Sequence, residues 1–549
     1  MSVTSLSKLR HARPGGLAQT LGLYSVAGLV ALPMLTVILS LFPIPIEDWV
    51  RLWQTTLPLY IVNTVLLMVL TGAVASVIGI GTAWCVAMLD FPGRSVLSWM
   101  LVLPLAAPAY IVAYVYTDLL DYFGPVQSWL RELTGWGRDD YAFPAVRTLP
   151  GAAFILGIVL YPYVYLLARA AFGRQCVNQW HAARSLGLTP RRAFMRVALP
   201  LARPAIVGGL ALVLMETLAD FGVADYFGIP TFSTGIFRSW LAAGNRPEAM
   251  KLAAVMLVCV FALIALESAS RKGAVSGTGL TRSRSGHLPV GSSRGRLIAV
   301  LCALPVLIGF AIPFASLVTN MLNVPDSRPG GDFLVYAGNT LSVGVAVAGL
   351  SLLLAAPLAY AKRTRRNALT RSAIRFSTLG YALPGALLAV GVLLPLGELD
   401  RSLTHWAADR LGWEGGLLLT GTIAVLVFAL VIRFLTISFN ALSSGFDQIA
   451  PSMDAAARSL GSSPAAVMRR IHVPLLRPSL LAGGLLVFVD TLRELPATLI
   501  LRPFNFDTLA TRIYWLASDE RIAEASTAAV LVILCGLIPV ILINRTLER

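Results

Sequence analysis

The most regular feature of the sequence is a series of long apolar stretches separated by shorter polar segments. About 20 apolar residues suffice for an α-helix to cross a bilayer. Such stretches occur near residues 21–42, 60–89, 95–119, 149–173, 201–222 and 249–267, and then near 297–319, 336–361, 374–396, 415–442, 477–500 and 523–543. The pattern predicts an all-α, polytopic membrane protein with about 12 transmembrane helices, because barrel strands alternate over only about ten residues each.

Composition agrees with a membrane location. The 549 residues are 56% hydrophobic and 13% charged, whereas soluble domains carry about 25% charged residues. The apolar run ending at Phe42 is too long for a signal-peptide core, so we expect it to be a retained first span. The five cysteines are scattered without a CxxC pair, which predicts neither a disulfide framework nor a zinc site.

The excess of basic residues indicates topology. Lys and Arg number 44 against 28 Asp and Glu, a net charge of +16. Basic loops stay in the cytoplasm, and the clusters fall at the N-terminus, at 169–203, at 268–296 and at 362–366. An even number of spans with both termini cytoplasmic fits all four clusters. We therefore expect contact with membrane lipid and no nucleic-acid partner.

The chain is built from two related halves. Residues 182–209 align without gaps to 456–483, with 13 of 28 positions identical at an offset of 274. Further matches pair Tyr60, Asn63, Thr64 and Pro108 with Tyr336, Asn339, Thr340 and Pro384 at an offset of 276. Residues 268–296 are rich in Ser, Gly and basic residues and predict a cytoplasmic linker. The predicted domains are therefore 1–267 and 297–549, a parallel repeat of six spans each.

The repeated segment predicts two short helices around a turn. Gly187 can end a helix in the left-handed conformation, and Thr189 with Pro190 can start the next one. Ser463 and Pro464 repeat this arrangement. A basic interfacial helix that touches lipid headgroups is the alternative, although lipid contact does not require a glycine and a capped proline at fixed spacing.

This segment resembles the EAA loop of permease subunits of binding-protein-dependent ABC importers. The positions that match the family pattern are Ala182, Ala183, Gly187, Val197, Leu199 and Pro200 in the first half, and Ala456, Ala457, Gly461, Ile471 and Pro474 in the second. The predicted coupling loops also include Pro190 and Pro464. The resemblance implies a coupling helix in each loop that sits in a groove of a cytoplasmic ATPase. The usual leading glutamate is replaced by His181 and Ala455.

The sequence also indicates where ATP is hydrolysed. A P-loop requires Gly-Lys-Ser/Thr, but Lys8, Lys251, Lys272 and Lys362 are followed by Leu, Leu, Gly and Arg. We expect a non-catalytic chain that binds no cofactor itself, with ATP bound by a separate ATPase present in two copies.

Four acidic residues follow the two loops within apolar stretches. Glu216 and Asp220 lie in the fifth span, and Asp490 and Glu494 lie in the eleventh. Acids four residues apart share a helical face, so we expect these carboxylates to line a translocation path. Intramembrane acids also form buried pairs, and Arg433 and Arg493 are candidate partners. Whether the chain itself binds a metal ion stays open.

A closer resemblance concerns the cargo. The segment DTLRELPATLILRPFNFDTLATRIYWLASDERIAEAS at 490–526, in this fused layout, resembles the ferric-iron importers of Gram-negative bacteria. It implies an inner-membrane permease, one chain per transporter, that receives iron(III) from a periplasmic iron-binding protein. Thiamine permeases share the layout, and sulfate, molybdate and polyamine permeases share the loop. A proton- or sodium-driven secondary transporter is the contrasting class, and a scaffold or channel would explain neither repeat nor caps.

Overall fold

The fold is all-α, as predicted. The computed structural model describes residues 14–42, 44–137, 139–272, 287–325, 330–364, 368–412 and 416–547. The helices of the first part are α1 (Pro14–Leu39), α2 (Ile46–Thr55), α3 (Leu57–Met88), α4 (Arg94–Met100), α5 (Ala109–Leu120), α6 (Pro125–Thr134), α7 (Leu149–Ser185), α8 (Pro190–Ala193), α9 (Leu199–Ala219), α10 (Gly222–Tyr226), α11 (Phe232–Phe237) and α12 (Arg246–Lys272). They continue with α13 (Ser292–Val306), α14 (Ile312–Asn323), α15 (Phe333–Thr364), α16 (Ala368–Ser377), α17 (Gly385–Leu411), α18 (Ile423–Gln448), α19 (Pro451–Ser459), α20 (Pro464–Val467), α21 (Val473–Leu492), α22 (Pro496–Leu501), α23 (Leu509–Ser518) and α24 (Ile522–Leu547).

The number of spans depends on two bent segments. Within the described residues, ten helical stretches are long and apolar enough to cross a membrane, and two bent pairs raise the number to twelve. The bent pairs are the predicted third and ninth spans, which break by 90° and 115°. Each break precedes one of the matched prolines, Pro108 and Pro384. Proline disfavours helical backbone in the preceding residue, and Ala107 and Leu383 are extended, with ψ 123°.

A wider helical turn opens the fifth and eleventh spans. Residues Phe194–Ala198 and Met468–His472 form π-helical turns that lead into α9 and α21. In each case a proline follows as the second residue of the next helix, Pro200 or Pro474. Proline has no N–H and its ring crowds the carbonyl four residues back, which accounts for the local widening. Such π turns recur at functional sites.

The chain divides into two compact units. One unit comprises Met1–Phe42 and Gly338–Phe506, and the other comprises Pro43–Ala337 and Asp507–Arg549. In the first, α1 packs against α16 and α17, and a Cβ on Gly391 would lie 2.7 Å from the Pro33 carbonyl oxygen. In the second, α3 packs along α7 and α9, and α24 packs against α14. The division into 1–267 and 297–549 stays a prediction.

The end of the predicted linker is ordered against the loop after α3. Strand β2 (Leu288–Pro289) pairs in parallel with β1 (Leu89–Asp90), and the Arg94 guanidinium contacts the His287 ring. Residues 273–286 of the linker lie outside the described residues.

Candidate functional site

The first repeated loop turns at Gly187. Helix α7 ends at Ser185, and Gly187 adopts φ +84°, the left-handed conformation predicted for it. Helix α8 then begins at Pro190, and the Thr189 hydroxyl accepts a hydrogen bond from the Arg192 N–H at 3.4 Å. The predicted turn and cap are both confirmed.

The second loop repeats this geometry. Helix α19 ends at Ser459, and Gly461 has φ +78°. The Ser463 hydroxyl accepts a hydrogen bond from the Ala466 N–H at 3.3 Å, at the start of a helix that begins at Pro464. The Pro464 side chain lies outside the described residues. Two loops of the same local shape therefore precede the fifth and eleventh spans.

The two loops also expose equivalent positions. Leu186 and Leu460, each beside the turn, are both 84% exposed. Among the predicted loop residues, Ala183 and Ala457 are buried. Those that are exposed or half-buried are Ala182, Pro190, Val197, Pro200, Ala456, Ile471 and Pro474.

The first loop rests on an aromatic cluster, which we call the first seat. It consists of Trp84 on α3, Phe172 and Trp180 on α7, and Phe194. The Trp84 ring centroid lies 5.3 Å from that of Phe172, 5.0 Å from Trp180 and 4.8 Å from Phe194. Burial of aromatic surface holds this loop.

The second loop rests on a charged cluster, the second seat, which consists of Tyr360, Arg363, Phe446, Asp454 and His472. Asp454 accepts hydrogen bonds from Arg363 Nε at 2.8 Å and, at its other oxygen, from His472 Nε2 at 2.6 Å. Burial would raise the pKa of the Asp454 carboxyl, but these hydrogen bonds outweigh it and hold that pKa below its ordinary value. These contacts join residues 91 and 18 positions apart in the chain, so no local sequence pattern predicts them.

The four acids lie at the ends of their spans. Glu216 lies in the last turn of α9, which ends one residue before Asp220. Asp490 lies in α21, which ends two residues before Glu494. The later acid of each pair therefore lies just past the end of its helix, and a shared face for the two acids stays a prediction.

The acids of the eleventh span form ion pairs. Arg433 Nη1 lies 3.3 Å from Glu494 Oε1, and both side chains are largely buried. Arg493 pairs with Asp490 three residues before it. These are the pairs that the alternative interpretation predicts. The role of all four acids in a path stays a prediction.

Asp220 and Glu494 have a second, shared role. The Ala224 N–H donates to Asp220 Oδ2 at 3.1 Å. The N–H groups of Ala497 and Thr498 donate to the Glu494 carboxylate at 3.0 and 2.9 Å. Each acid therefore satisfies free N–H groups at the start of the short helix that follows its span.

The next helix of each repeat begins with the same cap. Thr231 and Thr234 form a capping box at α11, and Thr508 and Thr511 form one at α23. The amide of Asn63 donates to the Pro230 carbonyl, next to the first of these caps, at 3.2 Å. Spacing of threonines alone did not reveal these caps, because Thr-x-x-Thr lacks the usual Glu or Gln.

The described residues contain no group of three or more His, Cys, Asp or Glu side chains that could hold a metal ion.

These features define a multi-span membrane protein with a duplicated loop. A family model described as binding-protein-dependent transport system inner membrane component matches the chain twice, at 75–268 and 348–549, and the chain belongs to this family. Each match contains one of the two loops. The chain is therefore a multi-pass inner-membrane permease component of a binding-protein-dependent transport system.

Three similar proteins transport different cargoes according to their names. The chain is 25% identical over 526 residues to the Fe(3+)-transport system permease protein FbpB 2 of Haemophilus influenzae, covering 94% of this chain and 96% of that protein. It is 26% identical over 222 residues to the sulfate transport system permease protein CysT of Escherichia coli, covering 40% and 76%. It is 31% identical over 149 residues to the molybdenum transport system permease protein ModB of Escherichia coli, covering 27% and 62%.

Proposed function

We propose that this chain is the membrane-spanning subunit of an ATP-driven importer that moves ferric iron into the cytoplasm. The observation that carries the proposal is the pair of loops with the same left-handed glycine, capped restart and exposed leucine. Two loops of one shape suit two copies of a single cytoplasmic ATPase. ATP is bound by those partners, and this chain binds no cofactor.

The loops are built to transmit displacement. Each is joined to its span through a π turn and a proline, and each span ends at an acid that caps the next short helix. Closure of the ATPases on ATP would press on both loops and move α9 and α21 along their axes. The permease would then switch between outward-facing and inward-facing access. Coupling of this kind requires such a switch between two global states.

The cargo is supported by the extent of similarity. The Fe(3+)-transport relative matches 94% of this chain, whereas the sulfate relative matches 40%. Iron(III) would arrive on a periplasmic iron-binding protein and leave on the cytoplasmic side, where both termini lie. Carboxylate oxygens such as those of Glu216 and Asp220 suit a hard cation of high charge.

The direct test is uptake of radiolabelled ferric iron by cells with and without this gene. Labelled thiamine, sulfate and molybdate serve as paired controls. We expect loss of iron uptake alone. Unchanged iron uptake with loss of one of the other labels would assign a different cargo to the same importer architecture.

The energy source separates this proposal from a secondary transporter. We expect uptake to stop when ATP is depleted while the proton gradient is maintained. Uptake that survives ATP depletion and stops when the gradient is collapsed would contradict the proposal, because intramembrane acids would then act as a proton relay.

A further inference from the structure

The two seats occupy equivalent places in the two repeats. At the offset of 274, Phe172 corresponds to Phe446 and Trp180 to Asp454, and at the offset of 276 Trp84 corresponds to Tyr360. The positions of Trp84 and Phe172 in the first seat are also aromatic in the second seat. The ring centroids of Tyr360 and Phe446 lie 5.9 and 5.3 Å from that of His472. The position of Trp180 on the loop has become a carboxylate.

A second position, that of the buried His472, also differs between the two repeats. His472 lies at the end of the second π turn, where the first half has Ala198, and both are buried. A tryptophan and an alanine in the first repeat are thus replaced together by an aspartate and a histidine in the second. The pair is joined by the 2.6 Å hydrogen bond between His472 Nε2 and Asp454 Oδ1. The paired exchange keeps the loop in contact with the base of its span.

Arg363 connects this pair to two spans. It lies in the last turn of α15 and donates through Nη1 to the carbonyls of Phe446 at 2.6 Å and Ile449 at 3.0 Å. These carbonyls lie at the C-terminal end of α18, where a cation is favoured. One guanidinium therefore holds the ends of α15 and α18 and the Asp454 carboxylate of the loop. The guanidinium is planar and its N–H donors point in fixed directions. It therefore fixes the orientation of the groups that it bonds as well as their distance.

We propose that Arg363, Asp454 and His472 are positioning residues that seat the second coupling loop on the cytoplasmic ends of α15 and α18 through charge, whereas the first loop is seated by aromatic packing. The proposal rests on the proposed function, since it assigns these residues to the transmission of ATPase movement. An apolar seat has no preferred direction and tolerates sliding. The charged seat fixes one geometry and fails as a unit when one member is removed.

The lowered pKa of Asp454 makes substitution a better test of the second seat than a change of pH. Burial would raise the pKa of the carboxyl, but the hydrogen bonds from Arg363 and His472 outweigh burial and hold that pKa below its ordinary value. The contribution of the carboxylate is present above the ordinary pKa of an aspartate and is lost only as the pH falls through the lower folded value. Substitution, rather than acidification, is therefore the informative change.

The experiment compares Arg363→Met and Asp454→Asn with Lys362→Met in the transporter assembled with its ATPase and binding protein in vesicles. Lys362 is the matched control, because it lies on the same helix end but bonds the Ser443 hydroxyl at 2.5 Å. Iron taken up per ATP hydrolysed is measured, together with the amount of ATPase that co-purifies. We expect this ratio to fall at least about tenfold in the two seat variants and to stay within about twofold of wild type in Lys362→Met.

A second variant tests whether seating is the role of the charge. Asp454→Trp with His472→Ala and Arg363→Ala removes the whole charged cluster and installs the residues that the first repeat has at these positions, Trp180, Ala198 and Ala87. We expect it to recover uptake per ATP to within about threefold of wild type, as a volume-filling apolar replacement of a buried ion pair often does. Recovery of uptake per ATP would support the charged seat even if Asp454→Asn fails to accumulate in the membrane.

The outcomes separate the two proposals. A wild-type complex that hydrolyses ATP and takes up iron, with unchanged uptake per ATP in Arg363→Met and Asp454→Asn, would overturn the charged seat alone. A Trp and Ala variant that accumulates and binds ATPase but stays uncoupled would also overturn it. A wild-type chain that binds no ATPase would overturn the proposed function and, with it, the role of the seat.

Discussion

Gly187 and Gly461 are positions where the backbone conformation alone disfavours other residues. No atom lies within 4 Å of a Cβ built on either glycine, so the obstacle is the positive φ. Left-handed backbone costs a non-glycine residue about 1–2 kcal/mol, and β-branched residues are the least tolerant. Replacement of both by Val should abolish uptake while the chain stays in the membrane fraction, as measured by iron uptake and immunoblot.

The control for this prediction is Gly349→Val. Gly349 is also open to a Cβ, but it lies within α15 and has no positive φ. Uptake should therefore stay close to wild type. Normal uptake by the double variant would show that the glycine turns have no part in coupling.

The ion pair between Arg433 and Glu494 should matter for stability. Glu494→Ala leaves a buried guanidinium without its carboxylate and removes the cap of α22. We expect a loss of about 3–5 kcal/mol in the free energy of unfolding, measured by thermal unfolding in detergent. Asp490→Ala is the control and should cost less than about 1 kcal/mol, because the Asp490 and Arg493 side chains are 26% and 24% exposed. Equal losses would contradict the structural role of Glu494.

Among the secondary-structure elements, the capped helices α11 and α23 are the clearest repeat outside the loops. Thr231→Ala and Thr508→Ala should each cost about 1 kcal/mol, because an N–H at the helix start loses its acceptor. Loss of the cap should appear as faster hydrogen exchange of backbone amides in the affected helix alone. Serine at either position keeps the acceptor oxygen and should exchange at nearly the wild-type rate, and equal exchange in Ala and Ser variants would argue against the cap.

Local chemistry is what the sequence could predict about these elements. The turns at Gly187 and Gly461 and the caps at Thr189 and Ser463 depend on residues within four positions of each other. The span count followed from apolar length.

Contacts between distant residues could not be predicted. Asp454 meets Arg363, 91 positions earlier, only because α15 ends beside α18. Likewise, the apolar stretch continues past Leu492, although α21 ends there. The sequence pattern therefore predicted a helix at Glu494 that the structure does not have. The bends before Pro108 and Pro384 had a visible signal in the matched prolines, but apolar length alone conceals a break.

At the scale of the whole molecule, fusion of two repeats in one chain permits them to differ. A permease made of two identical subunits must have the same seat under both loops. Here the exchange of Trp180 for Asp454 leaves the shape of the loop unchanged while changing the force that holds it. The difference is therefore compatible with two copies of one ATPase contacting both loops.

This arrangement makes a last prediction about how the loops cooperate. If both ATPases close in one step, loss of either coupling loop blocks the common switch. Gly461→Val alone, and Gly187→Val alone, should each reduce iron uptake at least about tenfold rather than by half, since each strains a left-handed position. Uptake is measured at equal amounts of membrane protein, with Gly349→Val as control. Retention of about half the uptake in either single variant would mean that the repeats transport independently, and a common switch would then be excluded.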